Sequence, residues 1–222
     1  MNPDSERNEI DAKEKTFRDE LLAGKKEGPV CAQRIQRNHP LFWSEWYRKT
    51  YLKGLPEAID PFYHCFLSDW REGLNPNPLF DVSYYARKYK NEGVFPDPLS
   101  HYCNVGWTKG FDPHPLFDTQ YYLAGLGLEL ASLKISPLQH FFENKSLVSP
   151  HPLFDAAFYL EQIAPQKPDC HPFVDYLSRP WDSKIDPHPF FSKKYYYAHA
   201  SDVAQSKMEA LGHYVQYGFS EN

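Results

Sequence analysis

The chain has 222 residues, 41% of them hydrophobic and 17% aromatic, which excludes wholesale disorder and allows a packed core. Its 24 Lys and Arg against 29 Asp and Glu leave a net charge of −5, and such an acidic body argues against phosphate-backbone binding, which needs a basic face. No apolar run approaches the roughly 18 residues of a membrane span, and the start, MNPDSERNEIDAKEKTFRDE, has charges where an export signal needs apolar residues, so the reading is a soluble, cytoplasmic chain.

Residues 1–38 hold a single aromatic, Phe17, and eight basic residues against eight acidic ones, so composition changes at His39. Within this segment, Asn8 to Leu22 mixes both charge signs with sparse apolar positions (Ile10, Phe17, Leu21, Leu22). It is expected to form a capping helix on the array that follows, with a disordered or partner-binding arm as the alternative.

From His39 onward one pattern recurs. Unit openings read HPLFWSEWY from His39, NPLFDVSYY from Asn77, HPLFDTQYY from His114, HPLFDAAFY from His151 and HPFFSKKYY from His188. The phenylalanines Phe42, Phe80, Phe117, Phe154 and Phe191 are spaced by 38, 37, 37 and 37 residues, and Tyr47, Tyr85, Tyr122, Tyr159 and Tyr196 keep the same spacings. A second block follows about twenty residues into each unit. It reads DPFYHC from Asp60, DPLSHY from Asp97, SPLQHF from Ser136, HPFVDY from His171 and EALGHY from Glu209. Units close on Asn75-Pro76, Asp112-Pro113, Ser149-Pro150 and Asp186-Pro187.

Each block has a physical reading. Asp81, Asp118 and Asp155, with Ser192 in the last copy, are placed to cap a first helix by accepting hydrogen bonds from its unpaired N–H groups; the preceding apolar residue folds back as a hydrophobic staple. That helix is predicted over about Asp81 to Asn91 and its equivalents. In DPL and SPL the Asp or Ser caps a second helix whose first position is a proline, where the missing N–H costs nothing. This helix is predicted to end near Gly73, Gly110 and Gly218 in left-handed C-caps.

The fold expectation is therefore all-α: a solenoid-like array of five helical hairpins over residues 39–76, 77–113, 114–150, 151–187 and 188–222. A hairpin of this size cannot bury its faces alone, so units should stack into an elongated array in which each contacts its neighbours. The recurrent aromatics are read as packing between repeats.

Several residues invite a sharper reading. His64, His101, His140 and His213 recur at one position of the second helix, with Asp175 in the fourth unit. Equivalent positions in stacked repeats lie about 10 Å apart, too far to share one metal ion, whose ligands sit about 2 Å from it. These histidines are expected to bond the adjacent turn, and no metal or cofactor is expected. His39, His114, His151 and His188 precede proline, with Asn77 in the remaining slot, and are expected to bond the tight turn. Cys31, Cys65, Cys103 and Cys170 lack CxxC spacing and are expected to be unpaired, partly buried thiols. Gly125-Leu126-Gly127 lacks the third glycine of a dinucleotide fingerprint and sits in a helix slot. No HExxH, GxSxG or Walker motif occurs, and no DxD pair is available to hold a nucleotide-sugar metal.

HPLFDxxYY, then DPLxHY, then Gly106-Trp107, then DPHPLFD resembles a repeat found in bacterial glycosyltransferases and associated proteins of cell-surface polysaccharide biosynthesis. The resemblance covers His39 to Asn222 and implies a setting in capsule, exopolysaccharide or O-antigen assembly, with a glycosyltransferase or assembly protein as partner. It transfers no catalytic residue. The expected function is a non-catalytic interaction or scaffolding module, peripheral to the inner membrane only through partners, with no nucleic acid bound. One alternative is a glycan-binding module in which Trp43, Trp46, Trp70, Trp107 and Trp181 stack on sugar rings or contact a partner; the other is a glycosyltransferase or part of one. Asn222 falls two positions short of the next Asp-Pro slot, so either the last hairpin is its own cap or the natural chain continues.

Overall fold

In the computed structural model, residues 39–92, 97–144, 148–163 and 171–218 are described. The expected N-terminal capping helix, Cys31 and Cys170 lie outside them. All regular elements among the described residues are helical; the only strand-like pairings are isolated bridges, His114 with Phe117 and His188 with Phe191.

Every unit supplies a first and a second helix. The first helices are Ser44–Tyr51, Val82–Lys88, Thr119–Leu126, Ala156–Ile163 and Lys193–His199. The second are Pro61–Leu67, Pro98–His101, Pro137–Glu143, Pro172–Ser178 and Ala210–His213. In units 2 and 5 the second helix widens into one π turn, Tyr102–Gly106 and Tyr214–Gly218. The fifth unit inserts an extra short helix, Ser201–Gln205.

Helix starts are fixed by two side chains acting together. Asp81 accepts from the Tyr84 N–H at 2.8 Å, while Asn75, from the closing block of the preceding unit, accepts from the Val82 N–H at 2.9 Å. Asp118 and Asp112 treat Tyr121 and Thr119 in the same way, and Ser192 and Asp186 treat Tyr195 and Lys193. Asp155 caps through the Phe158 N–H at 3.0 Å. Two of the N–H groups that a helix start leaves unpaired are thus met, one by each of two consecutive blocks. Trp43 and His171, which stand where other units have an oxygen-bearing cap, make no side-chain cap bond.

The first helix of unit 2 is shorter than the predicted Asp81 to Asn91. It stops at Lys88, with turns to Asn91, and Tyr89 turns back so that its ring stacks on Phe111 at 4.0 Å and its hydroxyl accepts from the Asp112 N–H at 2.8 Å. Gly73 and Gly110 close their helical segments with φ of 72° and 75°, in the left-handed region, and Gly127 closes the first helix of unit 3 with φ of 65°. Gly218 differs from expectation: it does not adopt left-handed φ but ends the π turn, at the position Gly106 holds in unit 2.

The core is a column of aromatic rings. In every unit the phenylalanine before the cap packs on the tyrosine one turn into the helix, with centroid separations of 5.4–5.6 Å. This is the hydrophobic staple. Tyr47, Tyr85, Tyr122 and Tyr159 are wholly buried. Their hydroxyls reach across to the second helix. Tyr47 pairs with His64 Nδ1 at 2.9 Å, Tyr85 with His101 at 2.8 Å, Tyr122 with His140 at 2.9 Å and Tyr196 with His213 at 2.7 Å. The partner at Nδ1 is thus the tyrosine of the first helix, where the sequence reading expected the adjacent turn. In unit 4 Tyr159 donates to buried Asp175 at 2.7 Å, and the Arg179 Nε donates to both Asp175 (2.6 Å) and the Tyr159 hydroxyl (2.8 Å).

Within each of units 1 to 4 a main-chain bond ties the opening to the unit's own closing proline. The N–H groups of Trp43, Asp81, Asp118 and Asp155 donate to the carbonyls of Pro76, Pro113, Pro150 and Pro187 at 2.8–3.1 Å. Second helices also meet: the Phe141 ring lies 4.7 Å from His171, and Tyr176 donates to Glu209, the cap of the next unit. Contacts are not confined to neighbours, as an elongated stack requires. Trp43 of unit 1 packs on Phe142 of unit 3 at 4.6 Å, and Arg87 of unit 2 donates to the Gln216 side chain of unit 5 at 2.6 Å. Short proline turns leave little freedom in the angle between hairpins, and the angle adopted here returns unit 5 to unit 2.

Two variants test this column. A Cβ on Gly106 would lie 2.0 Å from the Tyr85 hydroxyl, so Gly106→Ala is expected to cost about 1–3 kcal/mol through overpacking, read as a lower urea midpoint. Asp175→Ala, which takes the acceptor from the buried Tyr159 hydroxyl, is expected to cost about 1–3 kcal/mol in the same measurement.

Candidate functional site: a polar cleft where four units converge

The residues singled out by recurrence are distributed rather than gathered. His64, His101, His140 and His213 each serve the tyrosine of their own unit. Asp81, Asp118 and Asp155 cap helices. The five tryptophans are all half-buried. Trp43 packs on Phe142, Trp46 stands edge-on to Tyr51, and Trp181 stands edge-on to Tyr197. Trp70 lies under the Arg71 guanidinium at 4.7 Å, and Trp107 Nε1 donates to the Cys103 carbonyl at 3.0 Å. Among the described residues the most exposed aromatics are instead Phe190 and Tyr195, at 92% and 66%. Cys65 and Cys103 are unbridged and half-buried, and burial raises the Cys103 thiol to about 12. Among the described residues, no group of three or more His, Cys, Asp or Glu is arranged to hold a metal ion, and no helix is long and apolar enough to cross a membrane.

Side chains of varied chemistry do meet in one place, a cleft of about 450 Å³ between units 2, 3, 4 and 5. The first helix of unit 2 contributes Tyr84, Arg87 and Lys88, which share a helical face by their three- and four-residue spacing. Asp112, Pro115 and Asp118 come from the junction of units 2 and 3, His151 from the opening of unit 4, and Val215, Gln216 and Tyr217 from the π turn of unit 5. Asp112, Asp118 and His151 among these stand at recurrent positions named from the sequence.

The cleft is held in shape by its own contacts. The Lys88 ammonium donates to Asp112 at 2.8 Å and to the Tyr84 hydroxyl at 2.6 Å. Burial acts to lower the Lys88 pKa, but these two partners outweigh it and hold it above the ordinary lysine range; burial raises Tyr84 to about 12. The Arg87 guanidinium bonds Gln216 and lies 5.9 Å over the Tyr217 ring. Each carboxylate spends one oxygen on structure, Asp112 on the Thr119 N–H and Asp118 on the Tyr121 N–H.

His151 belongs both to the cleft and to the set of histidines before proline. In that set Nδ1 accepts from the N–H two residues on: Leu41 to His39, Leu116 to His114, Leu153 to His151 and Phe190 to His188, all at 3.0–3.1 Å. Asn77 does the same through Oδ1 to the Leu79 N–H at 2.8 Å, and its Nδ2 donates to the Leu41 carbonyl of unit 1. Burial pushes both His114 and His151 well below the ordinary 6.5, His151 to about 4, although Asp81 near the first and Asp118 and Asp112 near the second pull the other way.

Tyr84 stands at a recurrent aromatic position, with Trp46, Tyr121, Phe158 and Tyr195 as its equivalents, whereas Arg87, Lys88, Gln216 and Tyr217 carry no periodic signal, since they are positions at which one unit departs from the others. The basic pair Arg87-Lys88 occupies a slot that reads Ala-Gly in unit 3 and Glu-Gln in unit 4, and that departure is the one trace the sequence offers.

The depressed histidines set an acid limit. Because the folded chain resists protonating them, their stabilising contribution is complete above pH 6.5 and is lost as pH falls through that value toward about 4. The urea midpoint should fall over this window, and the double variant His114→Asn, His151→Asn, which borrows the solution seen at Asn77, should flatten the dependence. No family model, curated protein or solved structure matches the chain.

Proposed function

We propose that the chain is a non-catalytic module, a closely wound solenoid of five helical hairpins that scaffolds protein partners in bacterial surface polysaccharide assembly, with a glycosyltransferase or assembly protein as the partner. The observation that supports a non-catalytic reading is the use of the chemistry-bearing repeats. The recurrent imidazoles, carboxylates and phenols are engaged in Tyr–His pairs, caps and turn bonds. A side chain committed to a buried structural bond is poorly placed to trade protons with a substrate.

The polysaccharide setting rests on the resemblance of the repeat alone, and with it goes a cytoplasmic location reached at the inner membrane through partners. Both halves are testable. Incubated with common nucleotide-sugars, the purified chain should release no nucleotide above the buffer rate; turnover abolished by a cleft variant would replace the scaffold with a transferase. Proximity labelling in the native host should enrich polysaccharide assembly proteins over abundant cytosolic ones, and equal labelling of both would remove the proposed setting.

A further inference from the structure

The cleft has a chemical character that goes beyond the scaffold reading and stands independently of it. We propose that it binds a neutral polyhydroxylated ligand, one or two sugar rings in size, between Tyr84 and Arg87 of unit 2 and Tyr217 of unit 5.

Volume comes first. At about 450 Å³ the cleft lies within the roughly 300–1,000 Å³ typical of small-molecule sites. Its charges then choose among ligands. Arg87 and Lys88 are balanced by Asp112 and Asp118, so an anion meets two carboxylates and a cation meets a guanidinium and an ammonium. Pro115 and Val215 are the only aliphatic side chains of the lining, and a hydrocarbon seated between them and the tyrosine rings would strip water from the charged groups without replacing its hydrogen bonds. A hydroxyl group suits such walls because it donates and accepts at once. It can give its proton to the Asp118 oxygen not used on Tyr121 and take one from the Arg87 N–H groups not used on Gln216, which a guanidinium carries five of.

The tyrosines supply the other half of sugar recognition. A phenol ring has a negative face, which attracts the polarised C–H groups on the apolar side of a pyranose. Both rings are held in place beforehand: Tyr84 by its hydroxyl bond to Lys88, and Tyr217 by the guanidinium above it. Rigid aromatic walls reduce the ordering cost of binding. Carbohydrate contact is thereby moved away from the tryptophans, which are packed within the fold, to tyrosines at a junction between units.

The experiment is a titration of the full chain with methyl α-glucoside, methyl α-galactoside and maltose, followed by saturation-transfer and amide-shift NMR, with glycine and inorganic phosphate as competitors. At least one saccharide is expected to bind with Kd on the order of 1 mM, unaffected by either competitor. Tyr217→Ala and Arg87→Gln are each expected to weaken it at least about tenfold, and Tyr195→Ala, an exposed aromatic outside the cleft, to leave it unchanged. Because Arg87→Gln also touches the contact between units 2 and 5, Tyr84→Ala, on the cleft wall and outside that contact, serves as a second variant expected to weaken binding likewise, with circular dichroism confirming the fold of each. Absence of binding by all three saccharides, equal binding by the cleft variants, or displacement by glycine or phosphate would each overturn the assignment.

Discussion

Everything in this fold depends on satisfying a buried phenol. A tyrosine placed at the centre of a small two-helix unit brings a large apolar ring, which the core needs, and a hydroxyl, which the core penalises unless it is hydrogen-bonded. The chain meets this constraint by setting histidine on the second helix opposite the tyrosine, so that one bond of 2.7–2.9 Å both satisfies the hydroxyl and ties the two helices together. Each such bond is worth only about 0.5–1.5 kcal/mol net. The greater effect is negative, since a hairpin that slipped by one residue would leave phenol and imidazole both unpaired. Unit 4 meets the same demand with charge, placing Asp175 under the phenol and Arg179 beside it.

Neighbouring features follow from that bond. Gly106 and Gly218 are small because the tyrosine hydroxyls of units 2 and 5 lie close to their backbones: a Cβ there would be 2.0 Å from Tyr85 and 3.3 Å from Tyr196. The phenylalanine staple fixes the ring from the other side. Closing-block side chains Asn75, Asp112 and Asp186 then cap the helix of the following unit, so the hairpin starts of units 2, 3 and 5 are completed by the unit before. Order is passed along the chain through these shared caps, while each closing proline carbonyl accepts from the opening of its own unit and so holds the hairpin's two ends together.

Recurrence and individuality divide the work. Residues that repeat are occupied in building the units, and residues that break the repeat gather where units 2 and 5 meet. Arg87, Gln216 and Tyr217 have no structural duty that every unit shares, and with Tyr84 they help to form a place where opposite charges, amide and aromatic faces surround a common space. A repeat architecture suits this arrangement, because a position free of the common packing duty is free to vary in one copy.

The sequence by itself determined the all-helical class, the Asp and Ser caps and the pairing of apolar residues in the staple. These are local: a cap and its helix lie within three residues, and a staple within five. It also carried the Tyr and His periodicities, but not their meeting, because the 16 to 18 residues between them place the partner by tertiary folding; spacing alone suggested the nearer turn. Gly218 was misread for a related reason, since only the approach of Tyr196 and Tyr214 distinguishes a glycine needed for space from one needed for left-handed φ. The cleft was decided by tertiary structure alone. Arg87 and Gln216 stand 129 residues apart, and their contact follows from the angle at which successive hairpins pack, a quantity set by the summed shapes of buried aromatic rings and written in no single motif.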